Sequence, residues 1–155
     1  MTTATSSARD GASLQVLNTH EYRILKAICS RIVPEANEAR LDLALKIDSV
    51  LAGVRKELSR DFKLLLLILE YGTLFLGFTL KQFTRMSPEE QDRYLAGLER
   101  SGVPFKRVAF QAIKRAALAA FYGSQESWPG IKYRGPWLDK GYPHDYEGKG
   151  IQVPR

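Results

Sequence analysis

The chain has 155 residues, with 23 Lys and Arg against 17 Asp and Glu, and one cysteine. That length supports a single domain whose core needs no metal or disulfide staple, and the lone Cys29 excludes an internal disulfide, a Cys-x-x-Cys redox pair and an iron–sulfur ligand set. The net charge of +6 permits nucleic acid, anionic lipid or an acidic protein as partner without choosing among them.

Residues 1–16, rich in Thr, Ser and Ala, read as a disordered N-terminal segment. They contain no apolar secretory core and no twin arginine, so a cytoplasmic setting is expected. A helical domain follows over residues 17–123. Its first helix is announced by Asn18 as cap and Glu21 as the second half of a capping box, with Leu17 placed to staple onto Tyr22. Tyr22, Leu25, Ile28, Cys29, Ile32 and Val33 recur at helical spacing until Pro34 stops the run. Cys29 lies on that stripe and reads as packing. A second helix is predicted over about Leu41–Leu58, burying Ala44, Ile47, Leu51, Val54 and Leu58. A third, about Arg60–Leu80, is apolar almost all round and is expected to be the central element. Gly72 and Gly77 within it mark a close helix crossing or a break. The apolar run Leu64–Leu80 is too short for a membrane span and carries Glu70 in its middle.

Ser87-Pro88-Glu89-Glu90 is a start signal in which Ser87 caps, Pro88 takes the first helical position and Glu90 closes the box. This fourth helix runs to about Arg100 and buries Tyr94, Leu95 and Leu98. The fifth follows Pro104 and ends at Tyr122, with Gly123 as its C-cap. Between Phe105 and Tyr122 it carries Lys106, Arg107, Lys114 and Arg115 and no acid. These four share one side, either as a solvated face or as a nucleic-acid contact. No alternating strand pattern occurs. The expected fold is therefore all-α, a bundle of about five helices, with an irregular Trp/Tyr/Gly/Pro-rich C-terminal arm over residues 124–155.

Few residues suggest chemistry. His20 and His144 lack ligand-like neighbours at metal spacing, and there is neither a Gly-x-Gly-x-x-Gly nor a Walker loop. Glu70 has two readings: a buried general base, or a structural acid at the wet edge of its helix or bonded to an Arg or Tyr. The arm, "SWPGIKYRGPW" over Ser127–Trp137, holds both tryptophans of the chain. Trp128, Tyr133, Trp137, Tyr142 and Tyr146 are anchors separated by Gly and Pro. They suit insertion into the domain's own core, docking on a partner protein, or base stacking beside Lys132, Arg134, Lys140 and Lys149.

Three segments in order, "EYRILKAICSRIVPE" (Glu21–Glu35), "FTRMSPEEQDRYLAGLERS" (Phe83–Ser101) and "AAFYGSQESWPGIKYRGPW" (Ala119–Trp137), resemble the gluconate 2-dehydrogenase subunit 3 family. The likeness lies in Leu25, Ala27, Ile28, Ile32, Val33 and Pro34, in "IDSVL" (Ile47–Leu51), and in the close at Tyr122, Trp128, Tyr133, Gly135, Pro136 and Trp137. It implies a non-catalytic helical subunit that supports a large flavoprotein dehydrogenase of the glucose–methanol–choline type. FAD and the oxidation would lie on that partner, with a cytochrome c or other acceptor completing the complex. No cofactor or metal is expected on this chain, and nucleic acid becomes the alternative partner. The partner interface is expected at Trp128, Tyr133, Arg134, Gly135, Pro136, Trp137 and Tyr142. Many members of the family begin with a twin-arginine signal; without one, export is expected only in company with a signal-bearing partner.

Overall fold

A computed structural model of the chain describes residues 13–75 and 81–135. Its elements are α1 (Thr19–Ile32), α2 (Glu35–Glu38), α3 (Leu43–Gly53), α4 (Lys56–Phe75), α5 (Pro88–Glu99) and α6 (Pro104–Tyr122), with 3-10 turns at Phe83–Arg85 and Gln125–Ser127. The fold is all-α, and no strand occurs among the described residues.

Both capping boxes form as their sequences predict. The Glu21 amide donates to Asn18 Oδ1 and the Asn18 amide to Glu21 Oε2, each at 2.9 Å. The Ser87 amide donates to Glu90 Oε2 at 2.8 Å, and the Glu90 amide returns to Ser87 Oγ. Glu21 also meets Lys63 Nζ of α4 at 3.1 Å while itself buried, so one carboxylate closes α1 and ties it to α4.

The boundary between the second and third predicted helices is corrected. Helix α3 stops at Gly53, Val54 turns extended (φ −97°, ψ 168°), and α4 starts at Lys56. Ser59 Oγ donates to the Leu51 carbonyl at 2.8 Å, reinforcing an acceptor that the helix end otherwise serves only through the 3.4 Å bond from the Val54 amide. Val54 and Leu58, expected on the buried stripe, are instead exposed at 37% and 50%. A short helix, α2, follows Pro34 where only a stop is predicted, and Arg40 after it takes the left-handed region at φ 53°.

Burial also moves the centre of the molecule. Helix α1 packs against α3, α4, α5, α6 and the 83–85 turn, and Ile24, Leu25 and Ile28 have no exposed surface. Helix α4 buries Leu66, Leu69, Glu70 and Thr73 but leaves Leu64 56% exposed, so α1 rather than α4 is the hub. No described helix is long and apolar enough to cross a membrane.

Helix α6 ends at Gly123, whose amide reaches the Ala119 carbonyl. Its φ of −75° is ordinary; glycine is needed because a Cβ would lie 2.8 Å from that same carbonyl oxygen. The segment before α1 is held earlier than Leu17, since Gln15 and Val16 already donate hydrogen bonds to Asp48. Gly77 and the expected helix end at Leu80 lie outside the described residues, as do His144, Tyr146 and residues 1–12.

Candidate functional site

The described part of the arm folds into a compact turn on the end of α6. Ser127 is buried, its hydroxyl 2.6 Å from the Phe121 carbonyl and 2.8 Å from that of Ser124. This fixes the chain where it leaves the helix. Trp128 is half-buried, its indole Nε1 donates to the Tyr122 carbonyl at 3.0 Å, and its ring meets Tyr133 edge-on with centroids 5.1 Å apart. The Tyr133 amide returns to the Trp128 carbonyl at 2.9 Å, closing the loop. Lys132 (φ 56°) and Gly135 (φ 91°) both take the left-handed region. At Gly135 a side chain would be strained, and its Cβ would press on the Trp128 ring at 3.3 Å.

Of the expected interface residues, the structure therefore brings Trp128, Tyr133 and Gly135 together. Tyr133 is 44% exposed and Ile131 40% exposed, with Lys132 and Arg134 also at the surface. Trp128 finds its hydrogen-bond partner within this chain and serves as the base on which Tyr133 stands. Pro136, Trp137 and Tyr142 lie outside the described residues.

Glu70 is wholly buried, not at a wet edge. Its Oε1 accepts from the Thr84 hydroxyl at 2.6 Å and its Oε2 from the Thr84 amide at 3.1 Å. Thr73 Oγ1 reaches the Lys81 carbonyl at 2.6 Å and Gln91 Nε2 the Phe83 carbonyl at 3.0 Å. Together these bonds stitch the segment around the 83–85 turn to α4 and α5. Burial, and then the Glu70 charge, pushes the Tyr94 phenol up to about 12. A second buried acid, Asp48, was hidden in the apolar pattern of α3. It accepts from three successive amides, Gln15 at 2.6 Å, Val16 at 3.0 Å and Leu17 at 2.7 Å.

A third polar cluster joins α1 to the start of α3. Tyr22 Oη donates to Asp42 Oδ2 at 2.6 Å, with Lys26 Nζ 3.1 Å from the same oxygen. Burial acts to raise the Asp42 pKa, but hydrogen bonds from Tyr22, the Leu45 amide and Lys26 outweigh it and hold the carboxyl below its ordinary value. His20 pairs with the Tyr71 hydroxyl at 3.3 Å. No group of three His, Cys, Asp or Glu able to hold a metal occurs among the described residues.

Cys29 is buried beneath this region, and burial, with a smaller contribution from the Asp42 charge, pushes its thiol from 9.0 up to about 12. The thiolate is the reactive form, so at pH 8 the folded protein should react with a disulfide reagent at least about a hundredfold more slowly than the chain in denaturant. A fast native reaction would contradict this placement. The shift also has a sign for stability. Above pH 9 the unfolded thiol ionises while the folded one does not, so stability falls as pH rises from about 9 towards 12.

The basic side of α6 is partly neutralised. Lys114 Nζ lies 2.7 Å from Glu99 and Arg107 donates to the Ser101 carbonyl at 2.6 Å, while Arg115 is exposed. No family model, curated protein or solved structure matches the chain. The family likeness noted above thus rests on the quoted segments alone.

Proposed function

We propose that this chain is a non-catalytic small subunit of a flavin-dependent dehydrogenase complex, stabilising or maturing the large FAD-binding subunit. The order of the three resembling segments supports this reading. So does the turn at residues 128–135, the observation that carries it. An exposed Tyr133 beside Ile131, on backbone fixed by hydrogen bonds and by Gly135, loses little freedom on docking. FAD and the oxidation belong to the partner, and a cytochrome c or similar acceptor would take the electrons. The chain resides where that partner does, in the cytoplasm or, carried by a signal-bearing subunit, in the periplasm.

Tagged in its native host and purified gently, the chain should bring down a yellow complex containing a much larger flavoprotein. The double change Ile131→Ala and Tyr133→Ala should weaken that complex by about 30-fold, the loss of roughly 2 kcal/mol expected at an interface anchor, while helical content stays constant. A colourless preparation with no such partner would sink the reading.

The rival reading, a nucleic-acid module, draws on the acid-free α6. Glu99 already occupies Lys114, which leaves fewer cations for phosphates. Retention on DNA that falls steeply with salt would favour it.

A further inference from the structure

A pocket of about 450 Å³ opens between α1, the α2–α3 connection and the start of α3, within the span of about 300–1,000 Å³ usual for small-molecule sites. Its floor is apolar, made by Cys29, Ala36, Leu41, Leu43 and Ala44, all of them buried. Polar side chains form the mouth. Among the described residues its wall holds two cations, Lys26 and Arg40, against one acid, Asp42, which leaves a net charge of +1.

The carboxylate of Asp42 is already engaged. Its Oδ2 accepts from Tyr22 Oη and meets Lys26 Nζ, and its Oδ1 accepts from the Leu45 amide at 3.1 Å. Lys26 has three ammonium protons, of which Asp42 and Tyr22 Oη take two. Arg40 is wholly uncommitted: its side chain makes no hydrogen bond or ion pair among the described residues. Its backbone closes α2 in the left-handed region at φ 53°, with the Leu41 amide 2.9 Å from the Ala36 carbonyl and the Arg40 amide 3.2 Å from that of Asn37. Glycine or asparagine fits such a capping position at least cost. An arginine stands there instead, on backbone held from both sides, so a guanidinium without a counter-ion is kept at the mouth. The free hydrogen-bonding capacity of the cations is donor capacity, and it calls for an anion.

Size and polarity narrow the occupant further. A surface for protein or membrane docking exposes apolar side chains, whereas the apolar residues of this wall are buried and polar ones face solvent. A second copy joined through a two-fold axis would bring the same cations to the mouth. A bare inorganic oxyanion would leave the apolar floor against water, while a carboxylate on a short hydrocarbon body matches both mouth and floor.

We infer that this pocket is a binding site for a small organic carboxylate, whose oxygens pair with Arg40 and Lys26 and whose hydrocarbon part covers Ala36 and Leu43. The site lies apart in sequence from the turn at 128–135, and the inference holds whatever enzyme the partner belongs to.

Butyrate titrated into the purified full chain at low ionic strength tests it. Nuclear magnetic resonance should show saturable shifts of the Arg40–Ala44 amides, with a Kd of about 10 mM or tighter. Butanol and butylammonium, of similar size but without the negative charge, should leave those amides unmoved, and phosphate should bind at least about fivefold more weakly. Arg40→Gly suits the left-handed backbone, so helix content by circular dichroism should be kept while butyrate affinity falls about tenfold or more. Arg40→Gln should lose as much, and Arg115→Gln, which alters an exposed arginine on α6, should change nothing. The absence of saturable shifts would overturn the inference, as would equal binding of butanol, butylammonium or phosphate. So would undiminished affinity in Arg40→Gly, or an equal loss in Arg115→Gln.

Discussion

Phe83→Ala should destabilise the protein by about 3–5 kcal/mol and lower its melting temperature by about 6–20 °C. Phe83 has no exposed surface and lies in a three-residue 3-10 turn, not in a long helix. Its ring meets Tyr94 at 5.9 Å, tilted by 46°, and the turn also packs on α1 and α4. Glu70 and Gln91 fix the backbone on either side of it through Thr84 and the Phe83 carbonyl. With the backbone pinned, the turn cannot collapse into the space the ring leaves, which places the cost towards the large end of the range for such truncations. Thermal unfolding followed by circular dichroism measures it. A loss below about 1.5 kcal/mol would mean that the surrounding side chains repack freely and that the polar stitching does not hold the turn.

The second large effect is expected at Asp48. Asp48→Ala removes the acceptor of three amides at once, where a hydrogen bond to a charged group contributes about 1.5–3 kcal/mol. Gln15 and Val16 lie near enough to solvent for water to replace part of this, while the Leu17 bond is buried. The net cost should be roughly 3–4 kcal/mol. Asp48→Asn should cost less, because an amide oxygen can keep the Val16 and Leu17 donors while its NH2 faces the Gln15 amide donor to donor. Hydrogen exchange supplies the local readout. Protection of the Leu17 amide should drop sharply in the alanine variant and less in the asparagine one. Equal protection in all three proteins would show that the carboxylate does not hold this segment.

These two positions show what the sequence can and cannot reveal. Helix starts were legible because their chemistry is local: Asn18 with Glu21, and Ser87 with Glu90, act three residues apart within one turn. The apolar stripe of α1 was legible for the same reason, and it placed Cys29 in the core correctly. The break at Gly53–Arg55 was not, because apolar residues continue at helical spacing across it and periodicity does not register a change of axis. Glu70 was singled out as an acid in an apolar helix, yet its partner Thr84 lies 14 residues away, and the Asp48 donors lie more than 30 away. No spacing rule connects a side chain to backbone amides on a distant segment. At the candidate interface, the anchor types were legible, but their division of labour was not. Trp128 turns inward onto Tyr122 and holds up Tyr133, which is the member left facing solvent.

The position of α1 has a consequence during synthesis. It leaves the ribosome before every helix it packs on, α3, α4, α5 and α6, and α6 is completed only at Tyr122. At about 5–20 residues per second, the nascent chain carries the apolar stripe of α1 without its last neighbour for on the order of 5–20 s. During that interval Ile24, Leu25 and Ile28 form a sticky surface, so this region is most exposed to aggregation, and most open to chaperone capture, before α6 has emerged.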